Sequence, residues 1–179
     1  PQFRGILPLD GFHLSRSLAR RMRRGDITAT LDVDFDAIID GCAAREETWI
    51  NDTIRDLMDQ LFAAGYAHGF GVWRQGKLIG GMYGLSLGGA FFGESMFSAE
   101  TDGSKMTLAF AVDQLRRTGF TLFDTQFLTP HLASLGAVEI PRADYHARLA
   151  EALPQQADIN SVPMETDPQA VVQRITQTS

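Results

Sequence analysis

The chain has 179 residues, 44% of them hydrophobic and 21% charged, enough for one soluble domain with a real core and too few for two large ones. No apolar run reaches the roughly 18 residues of a spanning helix, and no membrane partner is expected. The single cysteine, Cys42, excludes a disulfide framework and a thiolate zinc site and favours a reducing cytoplasm; the net charge of −6 excludes an overall basic surface but not a local basic patch.

In chain order, LSRSLARRMRR at 14–24 places Leu14, Leu18 and Met22 four residues apart, which predicts a short helix with Gly25 as its stop. A second helix is expected from the N-cap Asp34, burying Phe35, Ile38, Ile39 and Cys42. A third runs over about 51–64, with Ile54, Leu57, Met58 and Leu61 at helical spacing and Gly65 closing it. HGFGVWR (68–74), KLIGGMYGLS (77–86) and AFFGESMF (90–97), separated by QG and LGG, read as a three-stranded antiparallel meander. Ser104 is the expected cap of a helix to Arg117 that buries Leu108, Ala111, Val112 and Leu115. A strand at 120–127, a helical turn at 130–135, a strand at 137–140 and a helix at 142–153 complete the expected domain, 1–153. From Pro154 the chain is polar and poor in aromatics, and is expected to be a low-order tail, 154–179. The order implies a mixed α+β domain around a central sheet, compatible with a GNAT-type acyltransferase fold.

Three features carry chemistry. Arg16, Arg20, Arg21, Arg23 and Arg24 fall within nine residues of an otherwise acidic chain. Such a cluster either binds phosphates or is a solvated helix face whose stems pack on the core. In DTQ, strand alternation puts Asp124 and Gln126 on one face, flanked by Phe123 and Phe127. A carboxylate there either caps neighbouring backbone or has a function. Glu94 sits alone among Phe91, Phe92, Met96 and Phe97; a solvent-side position on an edge strand and a place in a site fit it equally well. The nearby glycines mark bulges or close approach of a ligand to backbone.

The absences are informative too. The histidines at 13, 68, 131 and 146 have no metal-ligand spacing, and neither a nucleophile elbow nor a Walker loop is present. The R/Q-x-x-G-x-G/A loop by which acetyltransferases hold coenzyme A is replaced by SAETDGSKM, which carries two acids.

TWI (48–50), GYAHGFGVW (65–73), LIGGMYGLSLGGAFFGESMFS (78–98), DTQFLTPHLASLGAVEIPR (124–142) and DY (144–145) together closely resemble the bacterial leucyl/phenylalanyl-tRNA–protein transferases, over most of residues 4–150. The resemblance implies a GNAT-like domain with a central, largely antiparallel sheet flanked by helices. It also implies transfer of Leu or Phe from Leu-tRNA or Phe-tRNA to proteins with N-terminal Arg or Lys, marking them for degradation. Carried over by motif, Trp49, Met82 and Phe91 would line the side-chain pocket and Glu94 would hold an amino group or the terminal adenosine. Asp124 and Gln126 would be catalytic, with Gln126 the oriented acceptor for the amine and Asp124 polarising it or taking its proton. The Arg16–Arg24 cluster would grip tRNA phosphates.

The resemblance further implies a cytoplasmic monomer without cofactor, ATP or metal, because the aminoacyl ester is already activated. The acceptor's basic side chain needs an acid, for which Asp124, Glu94 and Glu139 are candidates. The sequence departs from the family's pattern in starting at Pro1, near where members carry an extra N-terminal segment, and in having Ala99 and Asp102 where a basic residue and an amide are usual. Two other functions fit the residues: an acyltransferase of similar fold with a different donor, and a non-catalytic module that binds basic N-termini.

Overall fold

The computed structural model describes residues 1–44 and 48–177. Its centre is a seven-stranded sheet in the order β2-β3-β4-β5-β6-β1-β7. The meander forms as expected from β3 (Ala67–Arg74), β4 (Lys77–Leu87) and β5 (Ala90–Ser98). Two strands went unread in the sequence. β1 (Phe3–Ile6) inserts between β6 (Leu122–Gln126) and β7 (Val138–Pro141), and β2 (Thr28–Leu31) extends the sheet beyond β3. Each is only four residues long, too short for alternation to stand out. All neighbours pair antiparallel except β5 and β6, whose parallel ladder joins Ala90, Phe91 and Phe92 to Leu122, Phe123 and Asp124 and goes no further.

Helices cover both faces. On one, α1 (Arg16–Met22), α4 (Gly103–Arg117) and α7 (Pro168–Gln177) share a core with Phe70, Met82, Phe91 and Phe123. On the other, α2 (Phe35–Ala43) and α3 (Asp52–Ala63) pack around Tyr83, and α6 (Arg142–Ala152) packs around Ile6, Leu122 and Ile140. The short α5 (Pro130–Ser134) is capped by Thr129, whose hydroxyl accepts from the Leu132 N–H. The mixed α+β class with a largely antiparallel sheet is therefore as expected.

Three local expectations change. Asn51 caps α3 through its side chain, but Asp34 makes no such bond at α2. At α4 the residue before the helix is Asp102, in a left-handed conformation with φ of 65°, while the Ser104 N–H donates to Ser98 Oγ at 2.7 Å. Gly80 explains that arrangement: a Cβ there would lie 2.3 Å from the Gly103 carbonyl, so the glycine lets the helix start sit directly on β4. The glycine thus serves helix–sheet packing rather than ligand approach.

The largest correction concerns residues 154–177, which are not a low-order tail. Val171 and Val172 are fully buried and Ile159 and Ile175 nearly so, all in the core shared with α4. The Gln114 amide donates to the carbonyls of Ile159 and Val162, at 2.8 and 2.7 Å. Arg174 grips Asp113 through Nε and Nη2, at 2.6 and 2.9 Å. A few apolar residues at helical spacing suffice to dock the segment, although its average composition is polar.

Candidate active site

Where the β5–β6 ladder stops, the two strands leave a cleft. It holds a cavity of about 250 Å³ lined by Gly93, Glu94, Ser95 and Met96 of β5 and by Phe123 and Thr125 of β6. Met82, Trp49, Phe127, Thr129, His131 and Leu132 complete the wall. Met82, Phe123 and Leu132 belong to the core on the α4 face. Trp49, half exposed, stands 6.5 Å from the ring of Tyr83 in the opposite core.

Of the pocket residues expected from sequence, Trp49, Met82 and Glu94 are on the wall and Phe91 is not. Phe91 is fully buried and packs edge-on against Phe123, with centroids 5.4 Å apart, so it supports the wall from behind. Position along β5 is the reason: Phe91 is paired with Phe123 inside the ladder and points into the α4-side core before the strands separate.

The DTQ pair also differs from expectation. Asp124 has no exposed surface and does not touch the cavity. Arg4 of β1 donates through Nε to Oδ1 and Oδ2, at 3.0 and 3.2 Å, and through Nη2 to Oδ2 at 2.8 Å. The Tyr145 hydroxyl of α6 donates to Oδ2, and the Gln126 backbone N–H donates to Oδ1 at 2.6 Å. With both oxygens occupied, Asp124 has no geometry for polarising an amine directly or for taking its proton.

Gln126 is the last residue of β6 and still pairs with Gly5 of β1. Its φ of 69° is left-handed, and its side-chain Nε2 donates to Glu94 Oε2 at 3.3 Å. Neither residue of the pair is on the cavity wall; Gln126 is joined to it through its hydrogen bond to Glu94. Burial pushes the Glu94 carboxyl above the usual glutamate range, helped by the Asp124 charge and opposed by the Gln126 hydrogen bond. On the same wall, burial and then the charge of Lys105 hold His131 below the ordinary histidine value, so it is neutral near pH 7. Among the three acids considered for a basic side chain, Glu94 alone lines the cavity; Glu139 is exposed on the edge strand β7.

The helix α1 is shorter than expected and ends at Met22, with Arg23 as its C-cap. Arg16, Arg20, Arg23 and Arg24 are exposed and have no ion-pair partner among the described residues. Arg21 differs: it pairs with Asp102 at 2.7 Å, and that acid also lies 4.0 Å from Lys105.

Sequence reasoning missed Arg4, Tyr145, Thr129 and His131 as members of this site. All four lie in or beside stretches that carry the family resemblance, but only the tertiary packing puts Thr129 and His131 on the cleft wall and Arg4 and Tyr145 on Asp124 behind it. The sequence model of the family described as leucyl/phenylalanyl-tRNA protein transferase matches residues 6–150.

The chain belongs to the leucyl/phenylalanyl-tRNA protein transferase family.

Relatives of the family agree. The chain is 62% identical over 179 residues to the leucyl/phenylalanyl-tRNA–protein transferase of Ruegeria pomeroyi, covering all of this chain and 85% of that one. It is 60% identical to that of Cereibacter sphaeroides, covering all of this chain and 84% of that one. Among solved structures, FemX superposes with a TM-score of 0.59 at 11% identity, over 79% of this chain and 60% of FemX. The C-terminal domain of a putative lysylphosphatidylglycerol synthetase from Agrobacterium fabrum superposes with 0.51 at 15% identity, over 86% of this chain and 66% of that one. At such identities the likeness concerns the fold alone. No helix among the described residues is long and apolar enough to cross a membrane.

Proposed function

We propose that the protein transfers Leu or Phe from aminoacyl-tRNA to the N-terminal Arg or Lys of acceptor proteins, and that the added residue marks them for degradation. The observation that carries this reading is the cleft: an apolar cavity with one carboxylate on its wall, held by an amide that is held in turn by a buried acid. A volume of about 250 Å³ falls below the roughly 300–1,000 Å³ of sites for drug-sized ligands. It suits a single amino-acid side chain, with the nucleotide outside. Burying a Leu or Phe side chain there contributes about 1.5–3 kcal/mol, and a pocket that admits both separates them weakly.

The chemistry follows from the substrate. An aminoacyl ester is already activated, so carbonyl attack by an amine needs neither ATP nor coenzyme, and no metal is assigned a role. The α-amino group, with a pKa near 7.7–8.0, is partly neutral at pH 7. The new C–N bond forms as the amine attacks the ester carbon, and the ribose hydroxyl leaves. Because Gln126 Nε2 donates to Glu94, its Oε1 is left to accept from the attacking amine and orient it. An amide is too weak a base to keep the proton. Glu94, made more basic by burial, is the group assigned to take it or to hold the ammonium form. Asp124 is assigned a positioning role.

The exposed arginines of α1 and the turn after it supply an electrostatic surface for tRNA phosphates, whose recognition carries no base sequence. The decisive experiment incubates the protein with labelled Leu-tRNA or Phe-tRNA and peptides starting with Arg, Lys or Met. Label on the Arg and Lys peptides alone is expected. Label on none, or label supplied equally well by a free acyl-CoA, overturns the proposal.

A further inference from the structure

Asp124 is surrounded by groups that the transfer chemistry above leaves unused. Arg4 comes from the first strand, 120 residues away in sequence, and Tyr145 from α6. The two also touch each other, with Arg4 Cζ lying 5.3 Å from the centroid of the Tyr145 ring. We propose that Arg4 and Tyr145 are positioning residues for the transfer: by fixing the Asp124 carboxylate they hold the Gln126 backbone left-handed, and so aim its side-chain amide across the cleft at Glu94.

The inference rests on the function proposed above and deepens it. An arginine fork bonded to both carboxylate oxygens fixes the plane of that carboxylate in a way a single ammonium does not. The Tyr145 hydroxyl on Oδ2 restrains it from the α6 side. In that orientation Oδ1 faces the Gln126 N–H at 2.6 Å. A φ of 69° is one that residues with a side chain seldom adopt, so something must hold Gln126 in it. If β6 continued extended through residue 126, alternation would put the Gln126 side chain on the Asp124 face, beneath α6 and away from the cavity. The hydrogen bond from the Gln126 N–H to Asp124 thus converts a buried ion pair into the direction of a side chain at the cleft. A purely structural staple between β1 and β6 predicts no such dependence on Gln126.

The test uses Arg4→Lys, which keeps the charge and removes the fork, and Tyr145→Phe, which keeps the ring and removes the hydroxyl. Single-turnover transfer from Phe-tRNA to an Arg-peptide is measured for each in the Gln126 and Gln126→Ala backgrounds, together with the proton shift of the Gln126 backbone amide. The expected result is an Arg4→Lys rate lower by about 10²-fold, the scale of a misplaced catalytic group, with the KM for Phe-tRNA unchanged. The Gln126 amide proton should move upfield as its hydrogen bond weakens, and the same substitution in the Gln126→Ala background should add no further loss. A full additional loss in that background, or an unmoved Gln126 amide, overturns the proposal. Should Arg4→Lys not fold, Tyr145→Phe carries the same test, with the ion pair left in place. A wild-type protein that transfers nothing defeats the function proposed above, while the amide shift still decides whether Arg4 and Tyr145 set Gln126.

Discussion

Glu94 on β5 and Gln126 at the end of β6 meet across the cleft, with Gln126 Nε2 donating to Glu94 Oε2 at 3.3 Å. The hydrogen bond joins two strands whose own ladder has already ended at Phe92 and Asp124. It therefore couples the geometry of the Gln126 amide to the only carboxylate among the described cavity-lining residues.

Removing either partner should depress transfer while sparing the fold. Glu94→Gln and Gln126→Ala are each expected to lower the single-turnover rate by about 10²–10⁴-fold, the range for removal of a proton-handling group. A cooperative melting transition no lower than that of wild type is expected for Glu94→Gln, and one close to wild type for Gln126→Ala, beside that drop in rate. Near-normal rates in either variant would remove that residue from the chemistry.

The pH dependence of stability offers an independent check on Glu94. Its folded-state pKa is raised above 4.5 by burial, so the folded state holds the proton more tightly than the unfolded state does. The associated stability is fully present below the unfolded value and is lost as pH rises through the raised one. Glu94→Gln should therefore be more resistant to denaturant than wild type at pH 7, with the advantage disappearing towards pH 4. Denaturant midpoints across that range measure it, and a constant difference would contradict the desolvated character of the carboxylate.

For the arginines, the double variant Arg20→Ala, Arg24→Ala should bind aminoacyl-tRNA more weakly by a similar factor for every tRNA sequence. The slope of log affinity against log salt should become shallower by about 1 for each phosphate no longer neutralised. Binding titrations at several salt concentrations provide the readout. Arg21, already paired with Asp102, should matter less than Arg20.

Gly5 on β1 bears on the same cleft from the opposite strand. A Cβ there would lie 2.5 Å from the Phe127 carbonyl carbon and 2.9 Å from Thr125 Oγ1, so Gly5→Ala must displace the end of β6. Overpacking of that kind costs about 1–3 kcal/mol of stability. Displacing Gln126 should reduce transfer by about 10²-fold. Unaltered transfer alongside lowered stability would show that the end of β6 moves without disturbing the chemistry.

The docked C-terminal segment yields a stability prediction away from the site. Ile175 is 2% exposed and lies in the core shared with α4, so Ile175→Ala should destabilise by about 2–5 kcal/mol in equilibrium denaturation. A change within about 0.5 kcal/mol, that of a surface substitution, would mean that α7 contributes little to the fold.

Periodicity in the sequence was enough for the helices before residue 154 and for the meander of β3, β4 and β5, because each buries one face over several residues and the pattern repeats; α7 was missed because the polar average of its segment masks its few buried positions. It also exposed the arginine cluster and the unusual position of Glu94, since charge asymmetry and a carboxylate among aromatics are local properties. Only the tertiary structure decided which residues share the site. Whether Phe91 or Phe123 faces the cavity depends on where the β5–β6 ladder ends, a pairing between distant segments that leaves no mark on either one alone. Asp124 and Gln126 are two apart in sequence, and alternation alone would put both on one face. Arg4, brought beside β6 by the insertion of β1, and Tyr145, brought over it by α6, bury the carboxylate, and at the left-handed Gln126 the side-chain amide bonds Glu94 on the cavity wall. The order of strands in the sheet, a long-range outcome of packing, turned a local pair into one buried anchor and one residue bonded to the cavity wall.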